Sequence, residues 1–251
     1  MNRAPYLLSI GRPTAGIALY FPTTSLWLGD ASADAHVWEI SQALLEAQHD
    51  FDFVDEQALS SILSLKDGAF ENLSGQRYKT VLIPSVRAIS KRALARLKAF
   101  SEAGGQVIFL GDTPPLVVDK AFATADATET FSWAIRAASG KLTDDILAAL
   151  PEPDAKLSRP NPSIKVLHRR WADADLYFFF NENVSAQSRD VTLSGRGKVQ
   201  VWDAQTGEIE GVPEVSQSDH TVNLRLRLGP YEAKFVVVGG QLPDPSPKTD
   251  D

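Results

Sequence analysis

Polar and aromatic residues follow the predicted strands of the first half of the chain, where an open α/β sheet binds its ligands. Such a sheet takes ligands outside the carboxyl ends of its strands. The residues at these ends are Trp27, Asp30, Asp55, Glu56, Arg87 and Asp112. Carboxylates, one arginine and one tryptophan suit the hydroxyl groups of a sugar better than a phosphate. The alternative is that these side chains are ordinary polar caps of surface loops.

Acidic residues are densest around positions 50 to 56, which include Asp50, Asp52, Asp55 and Glu56. Glycoside hydrolysis requires two carboxyl groups held roughly 5–10 Å apart across a cleft. On one strand, Asp50 and Asp52 would share a face and lie close enough to influence each other's ionisation. A solvated strand end has the same composition, and nothing in the sequence marks one acid as the proton donor. We therefore assign no catalytic residue.

Metal and phosphate sites are not indicated by the sequence. The histidines are His36, His49, His168 and His220; they show neither HExxH nor HxH spacing, and the chain has no cysteine. We expect them to be solvated or hydrogen-bonded. The loops that hold phosphate groups, GxxxxGK[ST] and GxGxxG, are also missing. We predict no metal and no cofactor.

Nucleophilic and stacking residues were the remaining candidates for chemistry. Ser85 follows the third predicted strand, but its context Pro84-Ser85-Val86-Arg87 lacks the flanking glycines that a strained GxSxG nucleophile elbow needs. Trp171 and Trp202 are single indoles beside polar residues, suited either to stacking on a sugar ring or to packing between sheets. The candidate carbohydrate-binding residues are therefore Trp27, Asp52, Asp55, Glu56, Arg87 and Trp202.

Composition limits the partners of the chain. With 251 residues and 43% hydrophobic residues, it is long enough for two globular domains. The formal net charge of −7 disfavours nucleic-acid binding, because an acidic chain repels phosphate backbones. No apolar run approaches the roughly 20 residues of a membrane span. The first residues lack the apolar core of a signal peptide, so we expect no export by this sequence alone, and the compartment stays open.

Strand-like and helix-like segments alternate between about residues 14 and 118, which predicts a parallel sheet with helices on both faces. Ser32 is predicted to cap a helix that starts at Ala33, and Ser90 to cap another that Gly104 ends. Residues 119–150 are predicted to be a helical connector, with Thr143 capping its last helix.

The second half of the chain changes character. Residues 151–162 contain four prolines and are predicted to be a linker. Residues 163–240 contain strand-length runs separated by turn signals, which predicts an antiparallel β-sandwich. Residues 241–251 are predicted to be a disordered tail. The predicted fold class is therefore α/β plus all-β, a parallel sheet with flanking helices followed by the sandwich.

Eight stretches, in order, resemble the C-terminal region of the α-L-rhamnosidases of glycoside hydrolase family 106. They are IALYFPTTSLW (17–27), DFDFVD (50–55), YKTVLIP (78–84), AGGQVIFLG (103–111), LHRR (167–170), DLYFFFN (175–181), VWDAQTG (201–207) and LRLGPYE (226–232). The resemblance covers about residues 15–238. It implies that the parallel sheet is flavodoxin-like and that the β-sandwich follows it.

The resemblance also implies where the chemistry lies. In that family, the catalytic glutamates and the calcium-assisted sugar site belong to an upstream barrel of roughly 250 residues, so none of them is assigned here. It suggests that Trp27 and residues 52–56 border the sugar site. We expect an accessory, non-catalytic portion with weak carbohydrate binding. The alternatives are an interaction module, with a catalytic barrel or a second copy as partner, and a small-molecule binder at the switch point of the sheet.

Overall fold

The computed structural model describes residues 3–120, 123–128, 130–213 and 215–246. The chain divides into two compact units. Unit 1 combines three stretches, Met1–Thr14, Leu45–Asp50 and Pro153–Asp251, and unit 2 combines Ala15–Leu44 and Phe51–Glu152. A parallel sheet and several antiparallel sheets, with few helices, make up the described residues. No helix among them combines the length and the apolar character needed to cross a membrane.

The elements are numbered along the chain. The strands are β1 (Arg12–Pro13), β2 (Ile17–Phe21), β3 (Phe51–Asp55), β4 (Ser64–Lys66), β5 (Ala69–Glu71), β6 (Arg77–Tyr78), β7 (Thr80–Ile83), β8 (Ala88–Ser90), β9 (Gln106–Leu110), β10 (Leu116–Lys120), β11 (Ala123–Asp126), β12 (Ile135–Ala137), β13 (Ala155–Leu157), β14 (Ile164–Trp171), β15 (Ala174–Asn181), β16 (Gln187–Ser194), β17 (Lys198–Trp202), β18 (Ile209–Gly211), β19 (Ser216–Gln217), β20 (Thr221–Leu228) and β21 (Ala233–Gly239). The helices are α1 (Arg3–Ser9), α2 (Thr23–Trp27), α3 (Ala31–Glu46), α4 (Lys91–Glu102), α5 (Asp144–Ala149) and a π-helix (Ala58–Ile62).

Unit 2 is built on a five-stranded parallel sheet with the order β12-β9-β7-β2-β3. Its central strands are short apolar runs, and all four residues of β7 are buried, as expected where helices cover both faces. Helix α3 packs on one face through Val37, Ile40 and Leu44. Helix α4 packs on the other through Leu97 and Phe100. The predicted parallel sheet with flanking helices is confirmed.

Helix starts depend on which polar side chain reaches the free amides. Ser90 caps α4 as predicted, because its Oγ accepts the Ala93 backbone N–H at 3.2 Å. The predicted capping by Ser32 is wrong. Helix α3 begins at Ala31, and it is Asp30 Oδ1 that accepts the Ala33 N–H, at 3.3 Å. A carboxylate is at least as good a cap as a hydroxyl, and its charge suits the positive end of the helix.

The predicted helical connector over 119–150 is mostly wrong. Strand β11 pairs antiparallel with β10, and β12 adds a parallel strand at the edge of the sheet beside β9. Among the described residues of this region only those of α5 are helical, and the Thr143 side chain makes no capping hydrogen bond there. Residues 121, 122 and 129 lie outside the described part. The absence of Gly and Pro over residues 121–139 favoured a helix in the sequence, but pairing with an existing sheet edge outweighs that weak local preference.

Unit 1 contains two larger antiparallel sheets. Their orders are β1-β14-β15-β21-β17-β18 and β13-β16-β20-β19. Apolar residues of both sheets form one cluster, in which Tyr177 and Phe179 of the first join Leu224 and Leu226 of the second. Strand β20 alternates buried leucines with exposed arginines, which is the pattern of a half-exposed strand. The sequence therefore located most strands of this region.

Two connecting segments of unit 1 differ from the prediction. Part of the proline-rich linker forms β13, which pairs antiparallel with β16. The described part of the predicted tail is held to unit 1, because the Ser246 backbone N–H donates to the Ile209 carbonyl at 2.8 Å. An edge strand has unpaired backbone groups that attract such a segment. The predicted disorder of residues 247–251 falls outside the described residues.

Candidate functional site

Glu56 lies directly after β3, at the carboxyl edge of the parallel sheet, and is held by three donors. Its carboxylate accepts the Tyr20 hydroxyl at 2.5 Å, the Thr24 hydroxyl at 2.7 Å and the Ser90 backbone N–H at 3.3 Å. Burial, followed by the charge of Glu56, raises the pKa of Tyr20, so this phenol stays a neutral donor. Glu56 thus joins the ends of β2 and β8 and the start of α2.

Asp30 forms a second carboxylate node at the same edge. Its Oδ2 accepts the Ser25 hydroxyl at 2.7 Å and the Arg87 backbone N–H at 2.9 Å. Its Oδ1 accepts the Ser32 hydroxyl at 2.6 Å, besides capping α3. Burial disfavours the charged form, but these hydrogen bonds together outweigh it and hold the pKa of Asp30 below its ordinary value. Asp30 therefore fixes the loop after β7 against α2.

His36 connects two further strand-end loops. Its Nδ1 accepts the Ser85 backbone N–H at 2.9 Å, and its Nε2 donates to the Gly140 carbonyl at 2.6 Å. These two partners assign the neutral imidazole with its proton on Nε2. His36 contacts the amide of Ser85 rather than its hydroxyl, so the contact does not activate a nucleophile. The expectation of a hydrogen-bonded histidine is confirmed at this position.

Asp52 and Asp55 each have an internal partner. Asp52 Oδ2 accepts the Tyr78 hydroxyl at 2.8 Å. Burial, and then the nearby Asp52 charge, raises the pKa of Tyr78. Asp55 Oδ1 accepts the Ala58 backbone N–H at 2.7 Å and so caps the π-helix. Both carboxylates have structural partners.

Asp50 and Asp52 do not lie on the same strand, as a shared strand face would require. Strand β3 begins at Phe51, so Asp50 precedes it and belongs to unit 1, whereas Asp52 belongs to unit 2. Asp50 Oδ2 accepts the His168 backbone N–H at 3.4 Å. The shared strand face was wrong because the strand starts one residue later than that pairing requires.

Trp27 and Arg87 are the exposed members of the predicted set. The Trp27 side chain is 74% exposed. Arg87 contributes its backbone N–H to the Asp30 node, and within the described ranges its guanidinium has no hydrogen bond or ion pair. Asp112, at the end of β9, pairs with Arg136. Trp27 and Arg87 are therefore the predicted residues with free binding groups.

Trp202 belongs to unit 1, whereas the other five candidates belong to unit 2. Its indole N–H donates to Gln200 Oε1 at 2.9 Å. Its ring meets that of Trp171 edge to face, with centroids 6.4 Å apart. The side chain is half-buried against the cluster of α1 and the first sheet. This environment is that of a packing residue, which is the alternative to sugar stacking that the sequence left open for Trp202.

A groove of about 580 Å³ lies beside β17 in unit 1. Its walls include Lys198, Gln200 and Gln217, together with Pro243 and Asp244 of the tail. The Gln200 Nε2 donates to the Pro243 carbonyl at 2.6 Å and so fixes the tail as one wall. Sequence reasoning missed this groove because its walls come from segments some forty residues apart.

A buried charged cluster in unit 1 was also missed. His168, 3% exposed, places Nδ1 at 2.7 Å from Asp154 Oδ2 and Nε2 at 2.9 Å from Asp175 Oδ1. Arg170 donates twice to the same Asp175 oxygen, at 3.1 Å each. The alternation of β14 indicates that His168 faces inward beside Val166. The local sequence pattern around His168, however, does not indicate that Asp154 lies beside it.

A metal site does not emerge from these clusters. Within the described ranges, no group of three or more His, Asp or Glu side chains is arranged to hold an ion. The resemblance places the calcium-assisted sugar site in an upstream barrel, so no chemistry is derived from it here.

A family model described as α-L-rhamnosidase matches residues 1–215. Among solved structures, the rhamnosidase from Novosphingobium sp. PP1Y superposes with a TM-score of 0.69 and 22% sequence identity, covering 98% of this chain and 24% of that one. The comparison with curated proteins gave no match.

Other sugar hydrolases share the fold. The α-L-fucosidase isoenzyme 2 from Paenibacillus thiaminolyticus superposes with a TM-score of 0.58 and 15% identity, covering 96% of this chain and 51% of that one. A GH42 β-galactosidase from G. stearothermophilus gives a TM-score of 0.55 and 14% identity, covering 91% and 41%. The chain thus spans about a quarter of the length of the rhamnosidase and about half or less of the other two.

Proposed function

Because the chain belongs to the α-L-rhamnosidase family of glycoside hydrolases, family 106, we propose that it is an accessory, non-catalytic portion of such an enzyme. The observation that carries the proposal is its coverage, since nearly the whole chain corresponds to only 24% of the Novosphingobium rhamnosidase. In this proposal, unit 2 is a flavodoxin-like module and unit 1 a β-sandwich. The sheet order β3-β2-β7-β9-β12 supports the first, because it follows the 2-1-3-4-5 arrangement of flavodoxin.

The state of the carboxylates supports the absence of catalysis. A glycosidase needs one protonated acid and one free carboxylate facing the same substrate. Here Asp30, Asp52, Asp55 and Glu56 each accept a hydrogen bond from a hydroxyl or backbone amide of the same unit. Their oxygens hold strand ends and helix starts together, which is a supporting role.

The proposal is tested by assaying the purified chain on an aryl α-L-rhamnoside. We expect no turnover above buffer, because the proposal assigns the residues that break the bond to the rest of the enzyme. Asp52→Asn and Glu56→Gln provide matched variants, with circular dichroism to verify folding. Turnover by the wild-type chain that either folded variant abolishes would contradict the proposal.

Weak carbohydrate binding is the second part of the proposal, and Trp27 is its assigned contact. An exposed indole offers a flat face for a sugar ring, and the Arg87 guanidinium is available for hydroxyl groups. We expect NMR titration with L-rhamnose to report binding that Trp27→Ala removes. Trp38→Ala is the matched control, because Trp38 is 65% exposed on α3. Binding that survives Trp27→Ala, or that only Trp38→Ala removes, contradicts this site.

An interaction module is the alternative function, and an aromatic edge supports it. Phe53, on the edge strand β3, is 50% exposed, and its ring lies 6.0 Å from Phe21 and 5.4 Å from Phe51. Exposed apolar groups that adjoin one another mark protein contacts. Light scattering of the chain distinguishes the two roles. An oligomer that Phe53→Ser dissociates, without sugar affinity, would favour the interaction role.

A further inference from the structure

Three separate stretches of the chain build unit 1, and His168 contacts the end of each. Thr14, the last residue of the first stretch, donates its hydroxyl to the His168 carbonyl at 3.3 Å. Asp50, the last residue of the second, accepts the His168 backbone N–H at 3.4 Å. Asp154, near the start of the third, contacts the imidazole Nδ1 at 2.7 Å. One residue therefore connects three chain ends that are distant in sequence.

The imidazole can hold both of its carboxylate partners only when it is protonated. Nδ1 faces Asp154 and Nε2 faces Asp175, at 2.7 and 2.9 Å. A neutral imidazole has one N–H and one lone pair, so one carboxylate would then face a lone pair. An imidazolium donates to both. The stacked Tyr177 ring, 4.1 Å away between centroids, leaves little room for the imidazole to turn aside.

The charged groups around His168 come from several elements. Asp154 precedes β13, Asp175 and Tyr177 lie on β15, Arg170 lies on β14 with His168, and Asp50 precedes β3. Arg170 neutralises part of the Asp175 charge through two hydrogen bonds of 3.1 Å. Burial raises the pKa of Tyr177, which stays neutral. The charge of Asp154, and the part of the Asp175 charge that Arg170 does not neutralise, therefore act on the imidazole.

The imidazole contacts with Asp154 and with Asp175 differ in their exposure to solvent. The Asp154 side chain is 40% exposed, whereas that of Asp175 is 13% exposed. Water can replace the imidazole at Asp154, while Asp175 keeps Arg170 and has little access to solvent. Loss of the second imidazole proton should therefore release Asp154 rather than Asp175.

The directions in which the pKa values of His168 and Asp154 are shifted agree with this geometry. Burial of His168 disfavours its charged form, but the hydrogen bonds and charges of Asp154 and Asp175 outweigh burial and raise its pKa above the ordinary 6.5. Burial opposes the ionisation of Asp154, but the hydrogen bond to His168 and its charge lower the pKa of that carboxyl. The imidazolium and the Asp154 carboxylate therefore stabilise each other's charged form.

We propose that His168 is a protonation-controlled clasp: its backbone holds Thr14 and Asp50 at either protonation state, whereas its imidazole holds Asp154 only as an imidazolium and releases Asp154 and the adjoining strand β13 when it loses a proton. Hydrogen exchange of the whole chain tests this. Between about pH 5.5 and about pH 8.5, we expect the protection of the β13 amides to fall several-fold after correction for intrinsic exchange. In His168→Gln, protection should be low at both pH values.

The exposed His220 supplies the matched control, since its replacement by Gln removes a histidine outside the clasp. We expect His220→Gln to keep the wild-type pH dependence. Protection of β13 that is independent of pH in the wild type, or equally dependent in His168→Gln, would overturn the clasp.

A spectroscopic measurement keeps the test independent of the folding of His168→Gln. We expect the imidazole ¹⁵N shifts of His168 to report both nitrogens protonated at about pH 6. In Asp154→Asn, a near-isosteric change, the His168 titration should move to lower pH. A singly protonated ring at that pH, or a titration unchanged in Asp154→Asn, refutes the proposal.

Discussion

At the scale of single residues, the sequence located polar positions but not their partners. Glu56 and Asp30 were recognised as strand-end carboxylates, yet both act through hydrogen bonds that fix neighbouring elements. These partners lie up to 57 positions away, as for Asp30 and Arg87. Such contacts arise from the return of the chain to the same sheet edge, which no local pattern records.

Trp202→Ala tests whether the half-buried indole is a packing residue. We expect a loss of about 2–3 kcal/mol in unfolding free energy, somewhat below the cost of a fully buried aromatic. Trp202→Phe should recover most of this, because it keeps a ring against Trp171 and loses only the hydrogen bond to Gln200. The measurement is urea denaturation of the three proteins. A neutral Trp202→Ala accompanied by lost sugar binding would instead place Trp202 in a binding site.

At the scale of elements, strands were predicted better than the connector. Runs such as β14 and β20 carry their own alternation, so their positions follow from the sequence. Strands β11 and β12 lack this alternation, because β11 is exposed throughout and β12 is three residues long. They exist because β10 and β9 offer them hydrogen-bonding edges. The pattern of a short edge strand is too weak to distinguish from a helix.

Ser90→Ala tests a cap that the sequence did identify. The hydroxyl accepts the Ala93 amide, so its removal leaves one N–H of the first turn of α4 without that partner. We expect a loss of about 1 kcal/mol in unfolding free energy. Ser101→Ala serves as a comparison at the other end of α4, where the hydroxyl donates to the Trp133 carbonyl rather than capping the helix. A Ser90→Thr variant, which keeps the hydroxyl acceptor, that is no more stable than Ser90→Ala would contradict the capping role.

At the scale of the whole molecule, the His168 cluster makes stability depend on pH in both directions. The contribution of His168 is fully present below its ordinary pKa of 6.5 and is lost as pH rises through the raised folded value. The contribution of Asp154 is present above 3.8 and is lost as pH falls through its lowered folded value. The stabilisation from this pair is therefore greatest in the interval between the two ordinary values.

Urea midpoints measured across that interval check the dependence. We expect the difference between wild type and His168→Gln to be largest in the mildly acidic range and to shrink on either side. Subtracting the variant removes titrations that do not involve the clasp. A difference that stays constant with pH would mean that His168 contributes packing alone.

The pairing of Ser246 with strand β18 has a practical consequence. Its amide donates to the Ile209 carbonyl at 2.8 Å, and its hydroxyl accepts the Ile209 N–H at 3.0 Å. These few contacts shield an edge that would otherwise be open to strands of neighbouring molecules. Trimming the chain before this serine, a common step in crystallisation, should therefore promote intermolecular sheet growth and lower solubility.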